Sequence, residues 1–151
     1  MKKLINIYKS ISNTFSNLDF VALLAMRLVL AYGFYEPAKN KIQNIEGIAS
    51  WFESLGLPAP LLQAYLATYT ELAGVVLLTL GLATRFISIP VMITMIVAIK
   101  TVHLENGFAA ANNGFEIPLY YLIMLFCLAT KGAGKASLDY FLKEKVFKGL
   151  N

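Results

Sequence analysis

The stretch "LLQAYLATYTELAGVVLLTLGLATRFISIPVMITMIVAIKTVHL", residues 61–104, carries only Glu71, Arg85 and Lys100 as charged side chains. It divides at Thr84 and Arg85 into two apolar blocks, Leu61–Ala83 and Phe86–Leu104. Crossing a hydrocarbon core takes roughly 17–25 helical residues, and each block is of that order. Two more blocks complete the pattern, giving expected spans at about 18–36, 61–83, 86–104 and 115–131. The whole chain has 151 residues, 58% of them apolar and 15% charged, with a mean hydropathy of +0.62. Four blocks of span length in one such chain leave little material for a water-soluble shell. The expected fold is all-α: a single domain over 1–151, an integral membrane four-helix bundle.

Interfacial helices are expected at three places. Leu4, Tyr8, Ile11, Phe15 and Leu18 recur at steps of four and three, opposite Lys9, Asn13 and Ser16. That stripe reads as an amphipathic helix on the membrane surface rather than as a signal peptide, because no long apolar core and cleavage site precede Arg27. In the first outer loop Ile45, Ile48, Trp51 or Phe52 and Leu55 have helical spacing, and Gly56, Pro58 and Pro60 end the element. In the tail Ser137 can cap a helix that lays Leu138, Phe141, Leu142 and Phe147 on lipid.

The charges orient the bundle. If the spans alternate in direction, one side receives Lys2, Lys3, Lys9, Arg85, Lys131, Lys135, Lys143, Lys145 and Lys148, nine of thirteen basic residues. Loops 37–60 and 105–114 fall on the other side, with Lys39 and Lys41. Short loops rich in Lys and Arg stay cytoplasmic, so both termini are expected in the cytoplasm. Basic residues flanking apolar blocks argue against nucleic acid despite a pI near 9.2. The lone Cys127 excludes an intramolecular disulfide and any paired-cysteine motif. One histidine makes no recognisable ligand set, so no metal is expected.

Two polar groups lie where lipid should be. Arg27 and Glu71 sit at the centres of the first and second predicted spans, where a charge costs about 2.5–3.5 kcal/mol on insertion scales. Opposite sign and equal predicted depth suggest an intramembrane Arg27–Glu71 ion pair, read first as a packing staple and second as a proton or substrate site. At the outer mouth the topology gathers Lys100, His103, Glu116, Glu36 and Lys39 at one level, with Tyr32, Trp51 and Tyr120. Singly these are snorkelling lysines, an interfacial histidine and solvated acids. Together they are expected to bind an amphipathic ligand. A quinone fits, its carbonyl accepting from Lys100 or His103 while His103 or Glu116 handles protons.

The segments "RLVLAYGFYEPAKNKI", "SLGLPAP", "YTELAGVVLLTLGLATR", "AIKTVHLENGF" and "KASLD" together resemble the DoxX family, in order and spacing, over about residues 20–140. These are small four-helix membrane proteins of bacteria and archaea, named after a subunit of a thiosulfate–quinone oxidoreductase. The resemblance implies a multi-pass protein of the cytoplasmic (inner) membrane, linked to redox or to oxidative and thiol stress defence. It implies soluble or membrane redox partners. It also places Arg27, Glu71 and His103-Asn106-Gly107 at recurring polar positions, and Lys41 at a recurring lysine. Many members carry His-Gly at the end of the first span; this chain has Pro37 and Ala38.

The expected function is a quinone-binding membrane subunit of a redox system, an accessory rather than a self-sufficient enzyme. No covalently bound cofactor is implied, and electron transfer would use the quinone or a partner's group. Beside it stand a non-catalytic scaffold that docks redox partners and a small transporter built around Arg27 and Glu71. So small a bundle is expected to form a homo-oligomer.

Overall fold

The computed structural model describes residues 4–7, 9, 12 and 18–147. Of the N-terminal stripe, Tyr8, Ile11 and Phe15 lie outside the described residues. No strand occurs among those described. The chain forms α1 (Asp19–Gln43), α2 (Ile45–Ser54), α3 (Pro60–Leu80), α4 (Thr84–Ala98), α5 (Glu116–Lys131) and a short α6 (Leu138–Phe141).

Three helical stretches are long and apolar enough to cross a membrane: Asp19–Gln43, Pro60–Leu80 and Thr84–Asn106. In the last, α4 passes into a π-helical turn, Ile99–His103, and a tight turn at Leu104–Asn106. The fourth long helix, α5, has 16 residues, about 24 Å at 1.5 Å per residue.

These four helices share one core. Leu30, Ala31 and Phe34 of α1 meet Leu78 of α3, Ile87, Val91 and Met95 of α4, and Leu125 and Leu128 of α5. α1 packs on α3, α4 on both α3 and α5, and α2 folds back onto α3. Large apolar side chains also face outward: Phe86 is 78% exposed, and Leu66, Ile93 and Phe126 are each more than half exposed. A belt of this kind suits lipid rather than water.

The first helix departs from expectation. It runs through Pro37 to Gln43 instead of ending near residue 36. Proline removes one backbone donor, but Phe34 and Ala38 on either side of it are buried and hold the helix together. Helices do form at two of the three other expected places: Asn44 caps α2 by accepting from Gly47 N at 3.1 Å, and Ser137 caps α6 by accepting from Tyr140 N at 3.2 Å.

The turn between α3 and α4 is tight and fastened from the tail. Gly81 closes α3 with φ +63°, a conformation that favours glycine, and a side chain there would overlap the Arg27 guanidinium. Asp139 accepts from Ala83 N at 2.7 Å and Thr84 N at 3.0 Å, and its own N–H donates to Gly81 O. A carboxylate on the free N–H groups opening a helix is favourable in both hydrogen bonding and dipole.

Candidate functional site: an apolar cavity on a Lys41–Glu71 floor

The two buried charges have different partners from those expected, and they do not pair with each other. Arg27 is fully buried, its Nη1 donating to Leu78 O at 3.2 Å and its Nη2 to Ala136 O at 2.5 Å. Glu71 is instead reached by Lys41, whose Nζ lies 2.5 Å from Oε1. Register explains the exchange. α1 and α3 run antiparallel, and Arg27 meets the carbonyl of Leu78, seven positions beyond Glu71, so about 10 Å separates the two levels. The extension of α1 past Pro37 brings the Lys41 ammonium to Glu71 at the middle of α3.

Above this pair lies a cavity of about 670 Å³. All five helices from α1 to α5 contribute to its wall, as does the π-helical turn. Its lining is predominantly apolar, with Phe34, Phe52, Ile93, Met95 and Val102 among the walls. The polar groups are few: Lys41 and Glu71, then Gln63, Thr70, Thr94, Thr101, His103 and the phenol of Tyr121. Leu66, Ile93 and Ile117 border it and are also exposed, and the cavity is partly open to the surface.

Local sequence explains the shape. Gly33 lets the Tyr121 hydroxyl come close to α1; a Cβ at residue 33 would overlap it. The Tyr121 ring then packs edge-on against Phe34, centroids 5.4 Å apart. The π-helical turn inserts an extra residue per turn and brings Thr101, Val102 and His103 to the wall, a distortion often found at functional sites. His103 Nδ1 lies 2.8 Å from Asn113 O. A carbonyl only accepts, so Nδ1 carries a proton, and in the neutral ring Nε2 is left with the lone pair.

The predicted outer cluster is therefore divided. His103 and Trp51 line the cavity. Lys100 is exposed and absent from its walls. Tyr32 is 84% exposed on the outside, and Glu36 and Lys39 pair with each other at 3.6 Å on the surface. Glu116 closes the loop before α5: its Oε2 accepts from Ala110 N at 2.9 Å and its Oε1 from the Tyr120 hydroxyl at 3.1 Å. Of the residues expected at one level, His103 and Trp51 reach the cavity wall and the others do not. Among the described residues no group of three or more His, Cys, Asp or Glu is placed to hold a metal ion.

Residues 22–104 match the DoxX family. The chain belongs to the DoxX family. A relative in Bacillus subtilis, 36% identical over 131 residues, carries the provisional name oxidoreductase CatD; the match covers 85% of this chain and 90% of that protein. An uncharacterized protein of Haemophilus influenzae is 34% identical over 128 residues, covering 82% of this chain and 85% of its own. No solved structure matches the chain. The DoxX match spans α1 to the end of the α4 extension, and so includes Arg27, Lys41, Glu71 and His103, all of them placed above.

Proposed function

We propose that this DoxX protein is a multi-pass accessory subunit of a prokaryotic redox system and holds a quinone or similar amphipathic ligand in the cavity above Lys41 and Glu71. In this reading α1, α3, extended α4 and α5 form a four-helix membrane bundle, with α2 and α6 at the interfaces and both termini in the cytoplasm. The observation that carries it is the cavity: about 670 Å³, within the usual range for ligand sites, apolar in its walls and charged at its floor. A ring with oxygen substituents can meet the floor while its tail leaves sideways into lipid.

Redox involvement draws support from the relative named as an oxidoreductase. The chain itself has one histidine and one cysteine, so electrons would pass through the ligand or a partner's group. His103 Nε2 is suited to exchange a proton with the ligand at the cavity wall.

Purification in mild detergent, extraction and mass spectrometry test the proposal. Near-stoichiometric isoprenoid quinone, counted in its oxidised and reduced forms together, is expected in the unaltered protein and in Lys100→Ala, whose side chain lies outside the cavity. Ala98→Trp, filling the cavity from α4, is expected to lose it. Absence of quinone from the unaltered protein, or full retention in Ala98→Trp, would contradict the proposal.

A further inference from the structure

The floor of the cavity specifies more than an apolar ring. An ionised carboxylate offers about four acceptor positions, and an ammonium offers three donors. Lys41 and Glu71 use one of each on one another, at 2.5 Å. Glu71 is 3% exposed, and its Oε2 is buried with no hydrogen-bond partner. Lys41 keeps 18% side-chain exposure and borders the cavity, so its remaining donors are available there. Glu71 lines the cavity, and its Oε1 keeps a second acceptor position beyond the one that Lys41 fills.

The pair therefore presents a donor and an unfilled acceptor side by side. A carbonyl oxygen can use only the donor, and it leaves the carboxylate short. A hydroxyl uses both, donating its proton to Glu71 while its oxygen accepts from Lys41. We infer that the cavity selects the reduced, hydroxyl-bearing form of an alkyl-substituted aromatic, a quinol or alkylphenol, over the quinone or an ether of the same shape. This rests on the cavity being the ligand site, as proposed above.

The test uses the full chain in detergent with 4-heptylphenol and 4-heptylanisole, which differ only in the hydroxyl hydrogen replaced by methyl and are not redox-active. Calorimetric titration is expected to show the phenol binding at least tenfold more tightly, about 1.4 kcal/mol by the usual conversion. The ratio should fall toward one in Glu71→Gln, which loses the charge at nearly constant volume. Equal binding of the two probes to the unaltered protein would overturn the inference while leaving the cavity as a ligand site. Binding of neither probe would remove both the inference and the cavity reading beneath it. The comparison on the unaltered protein decides the matter even if Glu71→Gln does not fold.

Discussion

At the residue scale, the protein depends on how buried charges are neutralised. Lys41 and Glu71 neutralise each other's charge, so removing one strands the other. Breaking a buried pair by deleting one partner costs about 3–5 kcal/mol, whereas replacing both with apolar residues of similar volume is often neutral. Lys41→Met is expected to lower the thermal unfolding midpoint in detergent strongly. The double variant Lys41→Met with Glu71→Leu should recover most of that stability yet fail to retain ligand. If the double variant is as unstable as the single one, the pair is not the coupled unit described. Gly33→Ala is expected to cost about 1–3 kcal/mol by overpacking against Tyr121. Its check is chemical denaturation in a Tyr121→Val background, which removes the ring atoms nearest that Cβ; Gly33→Ala should cost less there than in the unaltered protein.

The sequence shows which charges are buried but not which partners they take. Arg27 and Glu71 stand out because each interrupts an apolar block. Their depth depends on helix register, and that depends on where α1 ends. Pro37 reads as an ending, whereas buried Phe34 and Ala38 keep the helix going and make Lys41 a helical residue. Lys41 was thereby hidden as a loop lysine, although the family resemblance marks its position.

At the scale of elements, the α3–α4 turn and the tail form one device. Arg27 holds Leu78 O and Ala136 O, and Asp139 caps the opening of α4. Asp139→Ala removes two charge-assisted bonds to helix N–H groups, and cap losses cost about 0.5–2 kcal/mol. Its expected signature is faster trypsin cleavage at Lys131 or Lys135, with ligand binding unchanged because the cavity lies elsewhere on the helices. An unaltered cleavage rate would show that the tail is held by other contacts. The helices themselves were legible, since apolar length and turn residues specify them. The π-helical turn was not, because nothing in "AIKTVH" distinguishes an extra residue per turn from an ordinary α-helical one. That turn helps separate Thr101 and His103, on the wall, from exposed Lys100.

At the scale of the whole molecule, composition and charge asymmetry carried the membrane reading, and the DoxX membership agrees with it. The apolar segments are readable from a sequence, but the rotation of each helix about its axis is not. Residues expected at one level, such as Tyr32, Lys100 and Tyr120, consequently looked like one site with His103, but these three are exposed and absent from the cavity wall. The proposed orientation makes its own prediction. In a Cys127→Ser background, Asn112→Cys should react with an impermeant maleimide on intact cells, and Lys135→Cys only after lysis. The reverse pattern would invert the bundle without altering its cavity.

The central claim is that the ligand lies between the helices, above Lys41 and Glu71. Photolabelling with an azidoquinone, in its oxidised and its reduced form, followed by peptide mass spectrometry, tests it most directly. Label should fall within residues 63–71 of α3 and 93–103 of the α4 extension, and excess unmodified quinone should abolish it. Label confined to the outward-facing Tyr32, Lys100 and Tyr120, or label that excess quinone leaves unchanged, would contradict the account.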